Sequence, residues 1–339
     1  WFVMPDGREM STPIIVRDIG AAGPKSGEKV VVEIVQYPSP GQLPVGVIVE
    51  RLGPAGSTAI ETLAVIRAHG LPDEFTPAAL ADARAAIARF ESGDMDLEGR
   101  EDLSGQAVVT IDPPDARDYD DAISLRAGRN GEVELGVHIA DVSHFVVEGS
   151  ALDGDAVRRA TSVYFPRRVV PMLPEVLSNG VCSLQEGVPR LCKSAFITYD
   201  AEAKPVRTRL AETVIRSAKR LTYTQAQAIC DGGDAGCDER VVRLVRDMAA
   251  LARRIEARRR KAGMLHLALP QVDLVFDDQD RVVDAVPEDD SYTHTVIEMF
   301  MVEANEAVAR ALEARGRAFI RRIHPAPEAS SGTRASNFI

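Results

Sequence analysis

Between residues 108 and 125 the chain reads VVTIDPPDARDYDDAISL, which places Asp112, Asp115, Asp118, Asp120 and Asp121 within ten residues. Val108, Val109 and Ile111 precede the acids, and Ala122, Ile123 and Leu125 follow them. Apolar flanks of this kind read as strands or helix starts entering a core, so the carboxylates rise from buried framework. Two carboxylates about 5 Å apart repel by under ~1 kcal/mol in water, but by roughly 3 kcal/mol at an effective dielectric near 20. Several such pairs stay ionised at neutral pH only with a cation among them.

The ligand set narrows the cation. No Cys or His lies in the stretch, and an all-oxygen set suits Mg²⁺, or Mn²⁺ in its place. A calcium loop of the EF-hand type fails, because the sixth residue counted from Asp118 is Ile123 where that loop needs Gly. The competing reading is an acidic surface turn beside a strand, and the local chemistry leaves both open.

At 339 residues and 45% hydrophobic content the chain can bury a large core and should hold about two domains. It has no apolar run of membrane-spanning length and no signal-peptide pattern, so the expectation is a cytoplasmic protein with no membrane partner. Cys182, Cys192, Cys230 and Cys237 make neither a disulfide framework nor a zinc site, and they read as reduced and structural. A net charge of −11 argues against indiscriminate polyanion binding over the whole surface. It leaves room for a local basic track built from Arg158, Arg159, Arg167, Arg168 and the run Arg258, Arg259, Arg260, Lys261. That run reads equally as a solvated helix face. An acidic shell around a basic channel would admit a threaded single strand.

Residues 1–55 carry short β-branched runs separated by Gly, Pro and Asp, the pattern of a small all-β barrel of the OB type. Trp1, Phe2 and Tyr37 are its candidate base-stacking aromatics, though each such residue is more often simple packing. Residues 56–100 read as a helical connector, with Thr76 and Pro77 as N-cap and first position of an Ala-rich helix. Residues 93–101 make a polar boundary, and 101–339 alternate strands and helices as an α+β body. Within it, 133–140 alternates as a strand, 150–161, 239–261 and 292–315 read as helices, and 193–200 and 207–216 as strands. Residues 164–174 read as a Pro-punctuated loop bearing Tyr164, Arg167 and Arg168.

Thr110, Ile111 and Asp112, with residues 115–122 (DARDYDDA), resemble the signature of the RNase II/RNase R (RNB) exoribonuclease family. The order continues through VHIADVSHFV at 137–146, PMLP at 171–174, LSN at 177–179, CSL at 182–184, Arg190 with Leu191, and IEMFM with ANEA within 297–307. Residues 63–75, containing HGLP at 69–72, resemble the segment joining the family's cold-shock-like barrel to its catalytic domain. The resemblance implies an RNB-type α+β catalytic domain behind an OB/cold-shock-like barrel. It also implies processive Mg²⁺-dependent hydrolysis of single-stranded RNA from its 3′ end to nucleoside 5′-monophosphates.

On that resemblance Asp112, Asp118, Asp120 and Asp121 are the catalytic set, with Asp112, Asp118 and Asp121 assigned to metal. Asp120 acts as a ligand or by orienting the attacking water. Asp115 has no matching role, and Arg117 is expected to balance local charge. Tyr164 matches the tyrosine that packs against the 3′-terminal nucleotide, with core packing as the competing reading, and Arg167 and Arg168 are the accompanying RNA contacts. His138 and His144 read as structural hydrogen-bonding residues.

The sequence departs from the family pattern in three places. Leu267 stands where many members carry a base-clamping aromatic. The downstream block with the family's catalytic arginine is absent, and so is the C-terminal OB-type domain. With a start at Trp1, these features lead to the expectation of a piece of a longer protein, cut at both ends. Two readings stand: a metal-dependent exoribonuclease, or an RNA-binding or regulatory relative that keeps the fold with little or no hydrolysis.

Overall fold

The computed structural model describes residues 1–7, 10–20, 23–93, 97–265, 271–278, 281–323 and 325. Leu267, part of the 93–101 boundary and the C-terminal tail lie outside the described residues. The chain opens with β1 (Phe2–Val3), β2 (Ile14–Val16), β3 (Glu28–Gln36) and β4 (Val45–Pro54), followed by α1 (Thr58–Ala68) and α2 (Pro77–Glu91). Then come β5 (Glu101–Asp102), β6 (Val109–Asp112), β7 (Asp121–Ala127), β8 (Val133–Ala140) and α3 (Ala151–Arg159). β9 (Val163–Phe165), β10 (Arg168–Val170), β11 (Pro189–Tyr199), β12 (Pro205–Arg216) and β13 (Lys219–Thr222) lead into α4 (Tyr223–Cys230) and α5 (Glu239–Lys261). β14 (Val272–Phe276), β15 (Val282–Pro287) and α6 (Tyr292–Ala314) complete the described elements. None of the described helices is long and apolar enough to cross a membrane.

Two compact units divide the chain, one of Trp1–Met95, Val142–Val181 and His266–Asp289, the other of Asp96–Asp141, Cys182–Leu265 and Asp290–Ile339. In the first unit the four N-terminal strands form a sheet in the order β1-β2-β4-β3, with β2 and β4 parallel. Thr76 caps α2 as its sequence suggests: Ala79 N donates to Thr76 Oγ1 at 3.2 Å, and Pro77 occupies the first helical turn. Arg159, counted above in a basic track, is instead buried in this unit. It donates to the carbonyls of Pro72, Glu74 and Pro171 and lies 3.7 Å from the centre of the Phe75 ring. Its neighbour Arg158 bonds Asp155. Arg159 is thus committed to the interior of the unit, while Arg158 remains largely exposed.

The second unit is built on a seven-stranded sheet in the order β13-β6-β7-β8-β11-β12-β5. β13 runs parallel to β6 and β5 parallel to β12, and the other neighbours are antiparallel. Ile123, Val137 and Ala195 lie in one cross-strand row, and alternation puts them on the face that packs into one core with Leu244, Met248 and Ile255 of α5 and Phe300 of α6. Burying each large apolar side chain there contributes roughly 1.5–3 kcal/mol relative to exposure.

A chain of polar side chains crosses four adjacent strands of the same sheet. Ser124 Oγ lies 2.9 Å from His138 Nε2, His138 Nδ1 lies 2.7 Å from Ser194 Oγ, and that hydroxyl lies 2.7 Å from Thr213 Oγ1. All four residues are buried. Gly136 makes the room, since a Cβ there would collide with Ser124 Oγ and come within 2.9 Å of His138 Nε2. Burial holds the His138 imidazole down to about 4, so it is neutral at physiological pH.

Candidate active site

β6 is buried along its whole length and ends at Asp112 because Pro113 and Pro114 follow, and proline has no N–H to extend the ladder. Asp112 is in parallel register with Thr222, at the other end of a four-residue pairing with β13. β7 begins at Asp121, paired with Ile139. Between the two strands the loop is held at several points. Arg220 Nη2 donates to Pro113 O at 2.7 Å and to Pro114 O at 3.1 Å. Ser183 Oγ donates to Arg117 O at 2.7 Å and accepts from Tyr119 N at 3.2 Å. Leu184 N donates to Tyr119 O and Ala140 N to Asp120 O, both at 2.9 Å. The Cys182, Ser183, Leu184 block is thus a clasp on the aspartate loop.

These restraints couple Asp112, Asp120 and Asp121 electrostatically, and Asp118 acts on Asp120. Asp112 is 8% exposed, and its Oδ2 has no hydrogen-bond partner. Burial, then repulsion from Asp121, pushes its carboxyl up to about 7, against an opposing pull from Arg220. Burial and Asp120 push Asp121 up to about 6. Asp120 is raised by the burial of its surroundings and by Asp118, although the residue itself reaches solvent. Asp115 is exposed on the loop. Arg220 is the cation that acts on Asp112, whereas exposed Arg117 contributes its carbonyl to Ser183.

Tyr223 belongs to the same surroundings. It opens α4, its ring stacks on His294 at 3.6 Å between centres, and burial with the charges of Asp121 and Asp112 raises its hydroxyl to about 12. Nothing local in the sequence marked Tyr223, Arg220 or Ser183, which reach the loop from sixty or more residues away.

The oxygen-only donor set fits a hard divalent cation, and so do the orphaned Asp112 Oδ2 and the raised carboxyls. Among the described residues no three His, Cys, Asp or Glu side chains converge as a ready-made metal cage. Mg²⁺ does not need one, because it is commonly held by one or two carboxylates with water and phosphate oxygens completing its shell.

The remaining candidates sort clearly. Tyr164, Arg167 and Arg168 lie together in the first unit on a β9–β10 hairpin where the sequence suggested a loop. Pro166 fixes the first turn position and Arg167 adopts φ 61° at the second, a turn without the usual Gly or Asn signal. Tyr164 is 69% exposed beside Val169, which rules out core packing. Arg168 lies 3.5 Å from Asp73, and the Arg167 guanidinium is 5.7 Å from the Phe276 ring centre. In the run at the end of α5, the arginines are engaged by acids, and Lys261 is exposed. Arg258 and Arg259 bond the buried Glu303, Arg259 also bonds Glu306, and Arg260 bonds Glu256. Tyr199 donates to the same Glu303 at 2.9 Å. The four cysteines are free thiols.

Residues 100–339 match the RNB domain family, and residues 2–76 match the cold shock domain family. The ribonuclease R of Thermotoga maritima is 39% identical over all of this chain, which spans 48% of that protein. The solved structure of Mycoplasma genitalium RNase R in complex with ribose-methylated single-stranded RNA has a TM-score of 0.88 and 27% identity, covering 98% of this chain and 53% of that one. Yeast Ssd1, described as a pseudonuclease, shares the fold alone, with a TM-score of 0.65 and 20% identity over 92% of this chain and 39% of its own. This chain thus spans about half the length of these relatives or less. The expected small cold-shock-type β domain ahead of an α+β body is borne out.

Proposed function

The chain belongs to the RNB family, and from that premise we propose that it carries the carboxylate centre of a divalent-metal-dependent exoribonuclease. The substrate is single-stranded RNA, degraded processively from its 3′ end to nucleoside 5′-monophosphates in the cytoplasm. One observation carries the reading: buried Asp112 and half-buried Asp121 repel each other, and Asp112 has an oxygen without a partner. A descendant without need of a cation has no reason to retain that repulsion.

Asp112 and Asp121 would hold Mg²⁺, with Mn²⁺ as a substitute, and Asp118 would add a further carboxylate. When bound, the ion neutralises phosphate charge and lowers the pKa of water. Asp120, open to solvent at the loop's end, either joins the ligand set or accepts a hydrogen bond from the attacking water and orients it. Exposed Tyr164 stacks on the terminal base, and Arg167 and Arg168 offer guanidinium groups to the phosphates.

The fold shared with a pseudonuclease keeps an RNA-binding, non-hydrolytic reading in play. A 3′-labelled oligoribonucleotide incubated with Mg²⁺ separates the two. The intact chain should release labelled mononucleotide, and Asp120→Asn should bind the RNA without cutting it. If both proteins bind the RNA and leave it whole, the non-hydrolytic reading stands.

A further inference from the structure

Arg220 is half-buried in β13, and its side chain is tied at several points. Its backbone N–H donates to Glu186 Oε2 at 3.0 Å, and the neighbouring Lys219 ammonium pairs with the same carboxylate, which fixes where the side chain starts. From there the guanidinium reaches the two consecutive proline carbonyls at the start of the aspartate loop and lies 5.4 Å from the centre of the Tyr119 ring near its end. Its Nε is buried without a partner. Pro113 and Pro114 have no N–H with which to anchor themselves to a neighbouring strand. Arg220 donates to carbonyls at the start of this loop, and Ser183 donates to Arg117 O.

We propose that Arg220 is a positioning residue that braces the turn between Asp112 and the later aspartates, and so sets the spacing at which these carboxylates accept a divalent ion. This rests on the reading that Asp112 and Asp121 hold that ion. A planar guanidinium suits the task, since it presents fixed donors to two adjacent carbonyls while its face lies against an aromatic ring. As a mere charge, Arg220 would oppose the ion, because a fixed positive charge beside the site repels a cation. The two roles therefore predict opposite signs when the side chain is removed.

The test uses the full chain, with Mn²⁺ as probe. Binding is followed by calorimetry or electron paramagnetic resonance, and amide hydrogen exchange is followed without metal. Arg220→Ala should weaken Mn²⁺ binding by about tenfold or more, as loss of an outer-shell support does. Exchange at Ala116 and Tyr119 should speed up while that in β8 and β11 stays unchanged. Arg220→Lys, which keeps the charge without the planar fork of donors, should recover little of the affinity. Unchanged or tighter Mn²⁺ binding by Arg220→Ala would overturn the proposal, as would unaltered exchange across the loop. Should the unsubstituted chain bind no Mn²⁺, the metal reading of the aspartates falls, and the exchange comparison still decides whether Arg220 is the brace.

Discussion

Asp112 and Thr222 sit in register across the parallel pair β6–β13, and Thr222 is also the residue that caps α4. One threonine therefore fixes both the end of the strand that delivers the buried carboxylate and the start of the helix that delivers Tyr223. Thr222 Oγ1 accepts from Gln225 N at 3.1 Å, and the Gln225 side chain accepts from Thr222 N at 2.9 Å, so the cap is reciprocal.

Replacing Thr222 with alanine should lower stability by about 1 kcal/mol through loss of the cap. Thr222→Ser should recover most of that loss. Urea unfolding of the three proteins measures it, and a Thr222→Ala midpoint equal to that of the unsubstituted chain would show that the cap contributes nothing.

The carboxylate pair makes stability depend on pH in an unusual direction. Asp112 at about 7 and Asp121 at about 6 both lie above the ordinary 3.8, so the folded chain keeps protons that the unfolded chain has released. Their contribution is present in full below the ordinary value and is lost as pH rises to about 7. His138 works the other way. Held down to about 4 from an ordinary 6.5, it favours the folded state above 6.5 and loses that contribution as pH falls. The difference between the unsubstituted chain and Asp112→Asn isolates the aspartate contribution. Without metal, the decline in urea midpoint between about pH 5 and about pH 8 should be shallower in Asp112→Asn. Parallel curves would refute it.

Glu303 ties the end of α5 to α6 by accepting from Arg258, Arg259 and Tyr199. Removing it leaves two guanidinium groups and a phenol without their common partner, so Glu303→Ala should cost about 3–5 kcal/mol. Glu303→Gln, which keeps one acceptor, should cost less. Thermal unfolding ranks the variants, and a loss for Glu303→Ala no larger than that of a surface substitution would contradict the buried network.

Tyr164 makes the converse case. Because the ring is exposed, Tyr164→Ala should shift stability by less than about 0.5 kcal/mol. The same change should weaken single-stranded RNA binding by about 1–3 kcal/mol if the ring stacks on a base. Fluorescence anisotropy with a short oligoribonucleotide gives the second value, and unchanged affinity would remove Tyr164 from the proposed RNA contacts.

Local pattern made much of the fold legible. The strand over 133–140 and the helix over 239–261 stand where alternation and helical spacing put them, because each buries one face against the same core. The acid stretch likewise reads correctly as carboxylates rising from buried strands. What stayed hidden depends on distant pairing. The β9–β10 turn uses Arg167 at positive φ, and α4, at eight residues, is too short to show a period. The arginine run at 258–260 looked available because the partners of Arg258 and Arg259, Glu303 and Glu306, lie more than forty residues away on another helix. Arg220 and Ser183 were invisible as site residues for the same reason.

The line of hydroxyls and imidazole through Ser124, His138, Ser194 and Thr213 acts as a proofreader for the sheet. A one-residue slip of β8 would swing His138 to the opposite face and strand its polar neighbours in the dry interior. The same slip would replace Ile139 as the neighbour of Asp121. Chains that pair wrongly are thus penalised by the sheet itself, and the alignment of the aspartate loop is settled by residues buried within it.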